Sequence, residues 1–73
     1  MPSVEKTIEK MKNQPRGIRL PEAEKVLNAY GYSFNRQRGS HRHYISKTGD
    51  VITLKDPLKI SYVIEILERV GEI

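Results

Sequence analysis

A chain of 73 residues has room for one small domain, and a domain of that length buries only about 60% of its unfolded surface, which leaves no volume for a deep substrate cavity. It contains no cysteine, so a disulfide framework and a thiolate metal cage are excluded, and no apolar run approaches the roughly 20 residues of a membrane span. Thirteen Lys and Arg against nine Asp and Glu give a net charge of +4, a bias toward polyanionic partners, and the start Met-Pro-Ser-Val-Glu-Lys lacks the features of a secretory signal, so a cytoplasmic protein is expected.

Ser3 as N-cap, with Val4, Ile8 and Met11 at helical spacing, predicts a short amphipathic helix over residues 3–13. Asn13-Gln14-Pro15-Arg16-Gly17 ends it, and Lys6, Lys10 and Lys12 stand among Glu5 and Glu9 as a solvated face does. In a second helix Pro21 suits the first turn, Glu22 and Glu24 complement the positive end, and Ala23, Val26, Leu27 and Tyr30 share a face before Gly31 stops it. The period then becomes alternating, with Tyr32 and Phe34 on one side and Ser33 and Asn35 on the other, which predicts a strand to about Gln37. Tyr32 and Phe34 are expected in the core.

Arg38-Gly39-Ser40 reads as a turn, His41 to Ser46 as a second strand, Lys47-Thr48-Gly49-Asp50 as a hairpin connection and Val51 to Lys55 as a third strand. Asp56 as N-cap and Pro57 at the first position then start a last helix with an apolar stripe of Ile60, Val63, Ile64 and Leu67, a Glu65/Arg69 pair and a stop at Gly71. The order is α-α-β-β-β-α, an α+β domain whose three-stranded antiparallel sheet has one face covered by the second and last helices.

Within the second strand the alternation sets His41, His43 and Ile45 against Arg42, Tyr44 and Ser46. Either the histidines look outward over an open sheet, or Ile45 faces the core and draws His43 partly in; His41 sits at the sheet margin in both cases. The run Arg36-Gln37-Arg38-Gly39-Ser40-His41 joins an imidazole to a Gly-Ser turn and two guanidiniums, the residue types that bind phosphoryl oxygens and exchange protons near neutral pH. Arg36, Arg38, Arg42 and Lys47 are candidate phosphate contacts or, alternatively, an ordinary solvated strand face. Lys55 and Lys59 can extend the positive rim. His41 is a candidate general base for RNA cleavage, taking the ribose 2′-hydroxyl proton without a metal, or else a turn-flanking residue bonded to the backbone. His43 is either its accessory acid/base or a packing residue. A zinc site would need Asp50, Asp56 or glutamates to complete its ligands, and neither metal nor cofactor is expected.

At Gly31-Tyr32, Arg36-Gln37-Arg38-Gly39-Ser40-His41 and Tyr44 the chain resembles the HicA toxins of bacterial type II toxin-antitoxin systems, over roughly residues 18–70. The resemblance implies an N-terminal helical extension over residues 1–17 and a HicA-like domain over 18–73, with a fold similar to double-stranded-RNA-binding domains. It implies an mRNA interferase, an endoribonuclease that arrests translation until a HicB-like antitoxin covers it, with His41 catalytic, Gly39 and Ser40 shaping its turn, and Arg36 and Arg38 along the RNA path. Family members commonly carry a further His near the end of the third strand, whereas Leu54-Lys55-Asp56-Pro57 has none. The competing expectations are a non-catalytic RNA-binding module of the same fold and a small protein-binding scaffold.

Overall fold

Ser3 opens the first helix in the expected way, its hydroxyl accepting the Lys6 backbone N–H at 3.2 Å. The computed structural model describes residues 3–73 and contains helices α1 (Val4–Asn13), α2 (Leu20–Ala29) and α3 (Ile60–Arg69) and strands β1 (Tyr32–Arg38), β2 (His41–Ser46) and β3 (Val51–Lys55), in the order α-α-β-β-β-α. The strands form one antiparallel sheet in the order β1-β2-β3, so β2 is central. No helix among the described residues is long and apolar enough to cross a membrane.

The described residues share one hydrophobic core. Tyr44, Ile52 and Leu54 supply its sheet side, Val26 and Leu27 come from α2, Val63 and Ile66 from α3, and Met11 from α1, all fully or almost fully buried. The N-terminal helix therefore belongs to this core: α1 packs on α2 and α3, and Met11 and Ile8 fill the space between them. An isolated ten-residue helix is marginal in water, so α1 owes its stability to that packing.

Four details differ from the sequence reading. Helix α3 starts at Ile60 with Lys59 as N-cap, not at Asp56, because residues 56–58 reverse the chain after β3 and Leu58 packs against the core; the Asp56-Pro57 peptide is cis. The buried stripe of α3 is Val63, Ile66 and Leu67, and Ile64 faces solvent, since the i, i+3, i+4 set that meets the core begins at Val63. Tyr30 caps the end of α2 and is exposed, its hydroxyl donating to Glu72 at 3.1 Å. Phe34 is likewise exposed: it lies on the edge strand β1, where its ring packs under the Arg42 guanidinium and does not enter the core.

A polar tether closes the far end of the sheet. The Tyr32 hydroxyl donates to Asp50 in the β2–β3 hairpin, and Arg69 at the end of α3 donates to both Asp50 carboxylate oxygens at 2.8 Å. Glu65 stands 3.8 Å from the same guanidinium, completing the expected i, i+4 pair. The Tyr32 hydrogen bond, and after it the Arg69 contact, holds the Asp50 carboxyl below its ordinary range.

Two outcomes follow from this packing. Met11→Ala is expected to lower unfolding free energy in urea by about 2–5 kcal/mol through cavity formation, whereas Glu9→Ala on the exposed face stays within about 0.5 kcal/mol. Because folding depresses the Asp50 pKa, its contribution is present above the unfolded carboxylate value and is lost as pH falls below about 4 toward the folded value. Asp50→Asn should flatten that acid limb when unfolding is followed by circular dichroism against pH.

Candidate nucleic-acid interface

Residue Phe34 pairs with Tyr44, but the next paired residue of β1 is Arg36, opposite His43, so Asn35 has no partner of its own. This β-bulge resets the alternation of β1. Before it, Tyr32 and Phe34 lie on the side of Tyr44; after it, Arg36 and Arg38 lie on the other side, in register with His43 and His41. Strict alternation from Tyr32 would have sent both arginines toward the helices.

Tyr44, Ile52 and Leu54 fill the helix-covered face, so the histidines look outward over an open sheet. Pairing through both ladders builds three rows on that open face: Arg38, His41 and Lys55; Arg36, His43 and Thr53; and Ser33, Ile45 and Val51. Neighbouring rows are two residues apart along β2 and β3, about 7 Å, whereas on β1 the bulge makes Ser33 and Arg36 three residues apart. The first row sits beside the β1–β2 turn and consists of an imidazole between two cations. Arg36, Arg38, His41 and Lys55 are exposed, and His43 and Thr53 are half-buried.

No Asp or Glu occurs in any of the three strands. Among the described residues Arg36, Arg38 and Lys55 join none of the ion pairs, so their charge is directed to solvent. Lys47 is exposed in the β2–β3 connection, at the opposite end from His41. Such a face, positive and without carboxylates, attracts polyanions and repels cations.

The turn carrying His41 is a two-residue hairpin loop of Gly39 and Ser40, closed by the Arg38/His41 pair. Gly39 has φ +59 and Ser40 is not in the positive range, the pattern of a type II′ turn that calls for glycine at the first central position. His43 is held differently: its Nδ1 lies 2.9 Å from the Thr53 hydroxyl across the β2–β3 ladder. That contact orients the ring toward β3, whereas His41 keeps its exposure at the margin. No group of three or more His, Asp or Glu side chains is placed to hold a metal ion among the described residues.

Arg42, expected with the phosphate contacts, points to the helix-covered side. Its Nε donates to the Tyr44 hydroxyl at 3.1 Å, its Nη1 to Gln37 Oε1 at 3.0 Å and its Nη2 to Glu24 at 3.3 Å, while its guanidinium carbon lies 4.5 Å from the centre of the Phe34 ring. Phe34 meets Tyr44 edge to face, with centroids 6.0 Å apart. Neither ring is free on the open face to stack a base: Tyr44 is fully buried and Phe34 supports Arg42. Burial, with the Glu24 contact adding to it, pushes the Tyr44 phenol above its ordinary pKa and keeps it a donor to Glu24 at 2.6 Å.

From the residue pattern Lys55 belongs only to the rim and Gln37 has no role. The alternation of β3 carries the signal for Lys55, which falls on the same side as Val51 and Thr53; nothing short of the bulge places Arg36 and Arg38. No protein-family model matches the chain, and no curated protein or solved structure matches it.

Three unpaired cations on one face predict that a single-stranded nucleic acid laid across it loses about three counterion equivalents. Log affinity against log salt should have a slope of about −2, and Arg36→Ala should reduce the slope to about −1.4 in a fluorescence-anisotropy titration.

Proposed function

We propose that the open sheet face binds RNA and that His41 cleaves it, making the chain an endoribonuclease toxin of the HicA kind, an mRNA interferase acting in the cytoplasm. The observation that carries the reading is the row Arg38, His41 and Lys55, an exposed imidazole between two exposed cations on a face without carboxylates. The α-α-β-β-β-α order agrees with the resemblance noted in the sequence, and the double-stranded-RNA-binding kind of fold that the resemblance implies is part of this proposal.

The chemistry needs a base, a way to bear charge and an acid. His41 takes the proton of the ribose 2′-hydroxyl, the 2′-oxygen attacks the adjacent phosphorus, and the 5′-oxygen departs with a proton, leaving a 2′,3′-cyclic phosphate and a 5′-hydroxyl. Arg38 and Lys55 flank the phosphoryl oxygens and stabilise the charge that builds up on them. The departing oxygen takes its proton from water, from His41 once protonated, or from His43 one row away. No step requires a metal. Arg36 and, farther along, Lys47 extend the phosphate path, and Gly39 and Ser40 set the turn that carries His41.

A HicB-like antitoxin with an acidic surface would cover the same face, since complementary charge gives both fast association and exclusion of RNA. A second reading, a non-catalytic RNA-binding module, is favoured by one observation: His43 is engaged by Thr53, so the only histidine near His41 is already held by a neighbour.

Cleavage of a labelled single-stranded RNA in the presence of EDTA separates the two. Wild type should cut it to cyclic-phosphate ends, and folded His41→Ala should be slower by about 10²- to 10⁴-fold with RNA affinity retained. Equal binding with no cleavage by either protein would replace the nuclease with the binding module.

A further inference from the structure

The side chain of Gln37 has one amide orientation that satisfies its surroundings. Its Nε2 donates to the Gly39 carbonyl at 2.9 Å, and its Oε1 accepts from Arg42 Nη1 at 3.0 Å. Arginine offers only donors and a carbonyl only accepts, so a flipped amide would set like against like at both ends. Gln37 thus reads as a strut between the guanidinium and the turn.

The guanidinium is itself fixed from three directions. Tyr44, fully buried, receives Nε; Glu24 on α2 receives Nη2 and also the Tyr44 hydroxyl; and Phe34 supports the flat face. A lysine has a single ammonium and no plane, so it could not meet these partners together. A continuous set of hydrogen bonds therefore runs from α2 and the core, through Arg42 and Gln37, to the carbonyl of Gly39. That carbonyl belongs to the loop between Arg38 and His41, two of the three residues in the first row of the open face.

We infer that Gln37 and Arg42 are positioning residues for His41. They lie on the other side of the sheet from the cationic rows and act by holding the Gly39-Ser40 turn, and so the separation of the imidazole from Arg38, in one geometry. The inference rests on the reading of His41 as the general base. Misplacing a reacting group by about an ångström can cost a hundredfold in rate with little change in binding. Loss of the strut therefore reduces turnover and spares affinity, unlike loss of Arg36, which faces the open side.

The test uses Gln37→Met, which keeps the length of the side chain and removes both bonds, and Gln37→Glu, which keeps an acceptor for Arg42 and loses the donor to Gly39. In each variant the backbone amide order parameters of Ser40 and His41 are measured by nitrogen-15 relaxation, together with kcat and KM for RNA cleavage. The expected result is a fall of the Ser40 and His41 values from about 0.85 toward 0.6, those of β3 unchanged, and a kcat lower by about tenfold to a hundredfold at constant KM. Unchanged order parameters overturn the inference, as does a loosened turn with wild-type kcat. A raised KM at constant kcat would make Gln37 an RNA contact, which also overturns it. If the wild type does not cleave at all, the proposed function falls and the catalytic role of the strut falls with it; a cleaving wild type beside a rigid turn in Gln37→Met removes the strut alone.

Discussion

The unpaired Asn35 in β1 governs which way the second half of that strand faces, and most of the surface chemistry depends on it. A strand that kept strict alternation from Tyr32 would place Arg36 and Arg38 on the helix-covered side, away from His43 and His41. One extra residue instead turns them to solvent, beside the two imidazoles of β2. The apolar start of β1 and its cationic end are thereby compatible within a single seven-residue strand.

The central strand supplies the complementary constraint. Tyr44 is buried among the helices, and with a period of two this commits His41 and His43 to the open side. A phenylalanine there would fill similar space, but the tyrosine hydroxyl also joins Arg42 to Glu24 and leaves no buried polar side-chain atom unsatisfied among the described residues. Core packing and the geometry of the β1–β2 turn are consequently connected through one aromatic residue.

The element order was legible because the hydrophobic period changes abruptly at Gly31, where a helix cap with positive φ meets an alternating run. The Gly39-Ser40 turn was legible from its residue types. The alternation alone allows two orientations of His41 and His43, since the burial of Tyr44 depends on which strand face the helices choose. A bulge leaves no mark in a pattern of alternating polar residues: Asn35, Arg36, Gln37 and Arg38 are all polar, so nothing in their order shows where the register slips. Asp56-Pro57 misled for another reason, because aspartate followed by proline suits a chain reversal as well as a helix start, and here the reversal takes precedence. The role of Arg42 was hidden because its three partners come from α2, β1 and β2 and meet only in space.

Strand β1 is also an edge of the sheet, and an exposed edge invites another copy of the chain to add a strand. Charged side chains and a local break in the pleat are two of the devices by which proteins prevent such growth, and β1 has both, in Arg36, Arg38 and the bulge. The arginines thus have a second consequence, colloidal rather than chemical. A lineage that discarded them to abandon phosphate binding would also remove the repulsion that keeps identical sheets apart, so solubility and charge on this face would have to change together.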